Sequence, residues 1–283
     1  MKKILITGAN GQVGSELKDV FKDRVDLDTF FLDRNQLPLD QTAIIQDIFG
    51  MYQPDVIIHC AAYTAVDKAE TEQDMADKVN HLASEEIAIY CRLNNVKLIA
   101  ISTDYVFDGE SSQPMLEDAP VAPINTYGIT KLKGEQAIKK WQPESIIIRT
   151  SWVYSVYGNN FVKTMVRLMN EREEISVIDD QIGSPTYALD LAKAVAHILD
   201  GEQWIPGIYH FSNEGEISWY DFAAEIKNIK GIDCKINPIP TASYPTPAKR
   251  PKFSLLDKKK IKETFGVVVP EWKKSLRYML NKI

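Results

Sequence analysis

The chain is poor in the residues that staple, chelate or span. Its 283 residues include three cysteines, at 60, 91 and 234, and no C-x-x-C. That spacing argues against a disulfide framework or a thiolate zinc site, and free thiols fit a reducing compartment. Cys60, inside the apolar run DVIIHCAA, is expected to be a buried, inert thiol. The four histidines, at 59, 81, 197 and 210, lack a ligand spacing such as H-E-x-x-H, so no metal site is expected and His59 and His197 read as core residues. No stretch approaches the ~20 apolar residues needed to span a bilayer. MKKILITG is a basic start on a strand, its apolar run too short for a signal peptide. Basic residues are in the minority, 33 against 39 acidic, and the net charge of −6 disfavours nucleic acid or an anionic membrane as partner. Internal repeats and low-complexity tracts are missing too. What remains is a globular protein, expected in the cytoplasm.

The first half alternates short apolar runs with helical patterns. Residues 2–7, 28–33, 55–62, 96–103 and 145–154 read as strands. Between them, QVGSELKDVF, TAIIQDIFGMY, MADKVNHLASEEIAIYCRLNN and TYGITKLKGEQAIKKW read as helices. Strand–helix alternation with nearly continuous apolar strands predicts an α/β protein with a doubly wound parallel sheet covered on both faces. The second half is less regular: FVKTMVRLMNE and YALDLAKAVAHILD are amphipathic helices, GIYHFSN is a strand, and Ser218 is an N-cap for the helix that follows it. Residues 237–251 carry five prolines and are expected to form an ordered loop on the substrate side, neither helix nor inner strand. The predicted division is a dinucleotide-binding domain over 1–155, rejoined by 187–213, and a smaller mixed substrate domain over 156–186 and 214–283.

The chemistry begins at Gly8-Ala9-Asn10-Gly11-Gln12-Val13-Gly14, directly after the first strand. Gly8 permits the tight turn, Gly11 the approach of a pyrophosphate to the backbone, and Gly14 close packing of helix on strand. The helix beginning at Gln12 and Val13 would offer free N–H groups to the phosphates. After the second strand stand Asp33 and Arg34: an acid favours a free ribose 2′-OH, an arginine a 2′-phosphate. Both are present, so NADPH is the preferred cofactor with NADH also accepted. Asp40, Ala61, Ala62 and Tyr63 follow the second and third strands, and small residues there suit either a cofactor lying over the sheet edge or plain strand packing.

Tyr127 and Lys131 are four residues apart on a predicted helix and so share one face. A tyrosine with an ordinary pKa near ~10 exchanges protons poorly at neutral pH, and a neighbouring ammonium is expected to lower it. Thr103 ends the fourth strand, where it would hydrogen-bond a substrate carbonyl and fix its angle to Tyr127. A Y-x-x-x-K is weak alone; after a glycine loop and a strand-ending Ser102-Thr103 it points to proton transfer beside a nicotinamide.

Together these residues resemble the extended short-chain dehydrogenase/reductase family, and within it the dTDP-4-dehydrorhamnose reductases. The likeness runs in order through GANGQVG, AAYTAVDKAE, STDYVFDG, YGITKLKGE, RTSWVY, GNNFVKTM, DQIGSPT and YPTPAKRP. It implies NADPH-dependent reduction of the 4-keto group of a dTDP-6-deoxyhexose, with Thr103, Tyr127 and Lys131 catalytic. It further implies a sugar pocket of Val66, Ser102, Asp104, Tyr105 and Trp152, with Asn80 supporting the cofactor site. Arg250 in the proline-rich loop is a sensible partner for the substrate diphosphate. Thr103-Asp104-Tyr105 lacks the glutamate that follows Thr-Asp in water-eliminating dehydratases of this fold, which disfavours that chemistry. Some members are metal-linked homodimers bridged by glutamates; Glu16 stands at one such place, but Leu189 and Asp190 occupy the next, so the sequence gives Mg2+ no support. Monomer and homodimer both stay open. The alternatives to a reductase of this sugar are another nucleotide-sugar reductase or epimerase, and a non-catalytic NADP-binding regulatory subunit. The intact Thr103/Tyr127/Lys131 set weighs against the last.

Overall fold

The computed structural model describes residues 1–283. Its N-terminal half is built from β1 (Lys2–Thr7), α1 (Gln12–Phe21), β2 (Leu27–Leu32), α2 (Ile45–Tyr52), β3 (Val56–His59), α3 (Val66–Ala69), α4 (Gln73–Asp77), α5 (Ala83–Leu93), β4 (Lys97–Thr103), α6 (Thr126–Trp141) and β5 (Ile146–Thr150). Then come β6 (Val153–Tyr154), α7 (Phe161–Glu171), β7 (Glu174–Ile178), β8 (Ile182–Gly183), β9 (Thr186–Tyr187), α8 (Ala188–Asp200) and β10 (Gly207–His210). The chain closes with β11 (Ile217–Ser218), α9 (Trp219–Lys230), β12 (Lys235–Ile239), α10 (Lys259–Phe265) and α11 (Trp272–Leu280).

Six parallel strands make the main sheet, in the order β2-β1-β3-β4-β5-β10. The near-continuous apolar strands are the cause: VIIH and IIIRT are buried at every position, so both faces must be covered. One face packs on α1 and α8, through Leu17, Phe21, Leu191 and Val195; the other packs on α2 and α5, through Phe49, Ile87 and Cys91. The chain winds from β1 outward to β2, then returns to β3 on the other side. That reversal opens a crevice at the carboxyl ends of β1 and β3, where ligands of such sheets bind. The strand of GIYHFSN does join this sheet, as β10 at its edge.

A second core unites α7, α9 and α11 around Phe222, Met165 and Leu276. The Ser218 cap is present with its full capping box, closed by Asp221. Pro238 lies within β12, which pairs with β7 in a two-stranded ribbon, so the proline sits on an edge strand that needs fewer donors. The expected helix over MADKVNHLASEEIAIYCRLNN starts earlier, with α4 at Gln73, and carries a π-turn at Lys78–Leu82 before α5. No helix is long and apolar enough to cross a membrane. His59 is buried, with Nδ1 on Thr7 Oγ1 at 2.8 Å and Nε2 on Ser84 Oγ at 3.3 Å. His197, expected in the core, is instead exposed, its Nε2 bonded to the Phe265 carbonyl at 2.8 Å. It falls on the outer side of α8, whose inner side is filled by Ala and Leu.

Candidate active site

The crevice is a cleft of about 720 Å³ running from the glycine turn to the end of β4. Its floor is the turn Gly8–Gly11. Gly8 has a φ of +75°, and a Cβ there would approach the Ala61 nitrogen to 2.8 Å. A Cβ on Gly14 would overlap the Gly8 carbonyl. The turn therefore needs bare backbone, packed against Ala61 on one side and the start of α1 on the other. Helix α1 begins without a side-chain cap, and the N–H groups of Gln12, Val13 and Gly14 have no backbone partner. Three free donors and a helix dipole at the mouth of a cleft suit an anion of the pyrophosphate class.

At the far rim of the turn, Asp33 accepts from Asn10 Nδ2 at 3.1 Å and caps the N–H groups of Asn35 and Gln36. Arg34 beside it is exposed and makes no side-chain hydrogen bond, leaving its guanidinium available to a phosphate. Asp40, Ala61, Ala62 and Tyr63 line the same cleft. Gln12 Nε2 donates to the Val153 carbonyl at 3.2 Å, and Asn160 Nδ2 donates to Gln12 Oε1 at 3.0 Å, tying the glycine helix to the loop after β6. The motif GNNFVKTM contains that asparagine, but its spacing carried no sign of this role.

At the other end Ser102, Thr103, Asp104 and Tyr105 meet Tyr127 and Lys131. Thr103 Oγ1 accepts from the Tyr105 N–H at 3.2 Å and donates to Asp104 Oδ1 at 3.0 Å. Asn125 caps α6, its side chain accepting from the Gly128 N–H, and so fixes the turn that presents Tyr127. Tyr105 packs edge-on against Tyr127, ring centroids 5.5 Å apart. Lys131 Nζ donates to the Ile101 carbonyl at 2.8 Å. Burial pushes the Tyr127 phenol up to about 12, held back by Thr103, while burial brings the Lys131 ammonium down to about 8. This corrects the expectation that the ammonium lowers the phenol: in this geometry loss of hydration sets the direction of the phenol's shift, the opposing influence comes from Thr103, and Lys131 answers to burial, Glu135 and Cys60. A phenol held above its usual range stays protonated across the physiological pH range, the form a proton donor requires.

Asp104 is fully buried, its Oδ2 has no hydrogen-bond partner, and burial raises its carboxyl to about 6. Val66 and Trp152 complete the wall. Trp152 has a φ of +48°, rare for a bulky residue, and stacks on Trp219 at 3.7 Å. Cys60, expected in the core, is half-buried in this wall, its thiol pushed up to about 12 by apolar surroundings.

Two expected site residues lie outside the cleft. Asn80 is buried behind it; its amide accepts from the Tyr63 N–H and donates to the Tyr63 carbonyl and Thr130, so it braces the loop and helix that do line the cleft. The π-turn turns it inward. Arg250 is drawn away by Asp67, with Nη1 and Nη2 at 3.1 and 2.9 Å from its carboxylate oxygens. Asp67 adjoins Val66, so this ion pair joins the proline-rich loop to the cleft wall without placing the guanidinium in it. Both carboxylates at the supposed metal bridge are engaged within the chain. Glu16 is buried and accepts from Ser155 Oγ at 2.5 Å, and Asp190 accepts from Asn213 and Ser275. No group of three His, Cys, Asp or Glu gathers anywhere to hold an ion.

Comparison with known proteins agrees with this geometry over the whole chain. The family model described as RmlD substrate binding domain matches residues 1–283. A dTDP-4-dehydrorhamnose reductase from Aggregatibacter actinomycetemcomitans is 40% identical, over 98% of each chain. This chain belongs to the dTDP-4-dehydrorhamnose reductase family, within the extended short-chain dehydrogenases/reductases. The spore coat polysaccharide biosynthesis protein SpsK of Bacillus subtilis is 39% identical, over 100% of this chain and 98% of its own. A crystal structure of a dTDP-4-dehydrorhamnose reductase from Bacillus anthracis in complex with NADP is 39% identical with a TM-score of 0.95, covering 100% of both chains. A UDP-glucose 4-epimerase from Thermus thermophilus, 19% identical with a TM-score of 0.82 over 99% of this chain and 98% of its own, shares the fold alone.

Proposed function

We propose that this chain reduces the 4-keto group of dTDP-4-dehydro-L-rhamnose to give dTDP-L-rhamnose, with NADPH as the reductant. The observation that carries this reading is the meeting of Thr103, Tyr127 and Lys131 at one end of a cleft whose other end is an uncapped glycine turn. The NADP complex of the Bacillus anthracis relative supports the choice of cofactor. Gly8, Gly11 and the N–H groups of Gln12, Val13 and Gly14 would hold the pyrophosphate, and Arg34 the 2′-phosphate. Asp33 is engaged by Asn10 and lines the same cleft, where a carboxylate suits a free ribose hydroxyl, so NADH is accepted more weakly. Residues 1–155 with 187–213 hold the dinucleotide in this reading, and 156–186 with 214–283 hold the sugar nucleotide.

Reduced nicotinamide, when bound, supplies the hydride to the sugar carbonyl carbon. The Thr103 hydroxyl, turned from Asp104 Oδ1, donates a hydrogen bond to the carbonyl oxygen and sets its angle to the phenol. As negative charge grows on that oxygen, Tyr127 gives up its proton, forming the product hydroxyl and leaving a phenolate. Lys131 balances that phenolate until solvent returns the proton, which favours the transition state over the ground state. Val66, Tyr105 and Trp152 exclude water and hold the hexose. Arg250, released from Asp67, would reach the diphosphate. A cytoplasmic location fits the three unpaired thiols, and neither nucleic acid nor membrane is a partner in this reading.

The test is NADPH absorbance with dTDP-4-dehydro-L-rhamnose, and identification of the product. Wild type consumes NADPH and yields dTDP-L-rhamnose; Tyr127→Phe binds NADPH but turns over at least about a hundredfold more slowly. A wild type that binds NADPH and never consumes it is a binding subunit. Inverted sugar without net NADPH loss marks an epimerase.

A further inference from the structure

The face of α6 that carries Tyr127 and Lys131 continues one turn further, to Glu135, and all three side chains are buried. Glu135 is 3% exposed and its partners come from two strands. Arg149 of β5 grips it with Nε at 3.0 and 3.2 Å and Nη2 at 2.7 Å. Ser102 of β4, paired with Arg149 in the strand register, donates to Glu135 Oε1 at 2.5 Å. Arg149 is itself seated over the Phe107 ring, 5.1 Å from its centroid, and bonds the Glu117 carbonyl. An interior ion pair is a poor way to gain stability, because well-packed apolar residues of the same volume do as well or better. Its placement gives it another use. Glu135 is one helical turn from Lys131, and Ser102 immediately precedes Thr103.

We propose that Glu135, locked by Arg149 and Ser102, is a positioning residue for the reduction: it keeps Lys131 a cation and pins the strand end that carries Thr103. This rests on the reductase reading above. The titratable and charged groups around Lys131 are Tyr127 and Glu135 on α6, His59 at the end of β3 and Cys60 directly after it; behind them, Asp104 after β4 acts on Tyr127 and Arg149 of β5 pairs with Glu135. Burial holds His59 neutral and the Cys60 thiol protonated. Among the charges opposing the loss of the Lys131 proton, Glu135 acts most strongly. Removing its charge while keeping its shape therefore releases the Lys131 proton at lower pH.

The experiment is kcat for NADPH oxidation against pH in wild type, Glu135→Gln and Glu135→Asp, with NADPH affinity measured alongside by fluorescence. In Glu135→Gln the alkaline fall in kcat moves down by about one pH unit, while NADPH affinity near neutrality stays within about threefold of wild type. In Glu135→Asp, which keeps the charge, the fall stays near the wild-type pH even where kcat is reduced. An unmoved fall in the Gln variant, or an equal shift in the Asp variant, overturns the assignment. If Glu135→Gln does not fold, Ser102→Ala carries the test. It leaves the Glu135–Arg149 pair intact, and kcat should drop at least about threefold at unchanged NADPH affinity, with no downward shift of the alkaline fall. Wild-type kcat in Ser102→Ala, or a downward shift, overturns it. A wild type without turnover refutes the reductase reading itself, a separate result from any of these.

Discussion

Substituting Gly14 by alanine tests the glycine turn at its tightest point. The added Cβ would overlap the Gly8 carbonyl oxygen, stand 2.9 Å from its carbon and 3.1 Å from the Ala9 Cα. All three neighbours are backbone, and none can rotate away. Relief requires α1 and the turn to separate by about 1 Å, given that carbon atoms rest near 3.5–4.0 Å apart. Overpacking of this kind costs about 1–3 kcal/mol, a fall in melting temperature of roughly 2–10 °C for a chain of this size. The same displacement moves the first N–H groups of α1 off the phosphates, and misplacement on the order of 1 Å costs about a hundredfold in a site built on alignment. NADPH fluorescence titration and a thermal melt report the two effects. Weakened NADPH binding with a modest melting shift is the expected outcome. Wild-type affinity in Gly14→Ala would refute the claim that this turn cradles a dinucleotide.

Arg34→Ala should weaken NADPH by about tenfold or more while changing NADH little, because only the 2′-phosphate needs the guanidinium; parallel titrations decide it, and equal losses for both cofactors count against the assignment. Arg149→Met should destabilise by about 3–5 kcal/mol, since it strands the buried Glu135 carboxylate; a denaturant midpoint unchanged from wild type would contradict the ion pair's burial. Asp104 gives a pH prediction. Its folded carboxyl is raised to about 6 from the ordinary 3.8, so the folded state holds this proton more tightly. The stability it contributes is full below the ordinary value and is lost as pH rises through about 6. Asp104→Asn, uncharged throughout, should therefore gain on wild type by roughly 2–3 kcal/mol between pH 4 and pH 8; a constant gap between the two across that range refutes the shift.

Much of this molecule was legible before its structure. The apolar runs and amphipathic helices of the first half mark the parallel sheet because burial on both faces leaves no room for polar residues, and Tyr127 and Lys131 stand where helical spacing puts them. Strand ends were less legible. The run at 145–154 divides into β5 and β6 because Trp152 takes a positive φ, a backbone state with no compositional signature. The short ribbon of β7 and β12 was missed because five-residue strands with a proline carry too little pattern. At the site, residue identity located the cleft walls but not charge states or partners. Arg250 is claimed by Asp67, and the phenol pKa is governed by burial; both depend on contacts distant in sequence. Glu135 and Arg149 gave no signal of their own, since only the folded sheet brings a helix and two strands together around one carboxylate.

The central claim is that the cleft holds a sugar carbonyl between Tyr127 and a reduced nicotinamide. Turnover of dTDP-4-dehydro-L-rhamnose with NADPH deuterated on the transferred face of its ring carbon 4, followed by NMR of the sugar, tests it most directly. Deuterium at sugar C4 of dTDP-L-rhamnose, in step with NADPH consumed, is the predicted result. Product lacking deuterium at C4 under those conditions, or label at another carbon, would contradict it.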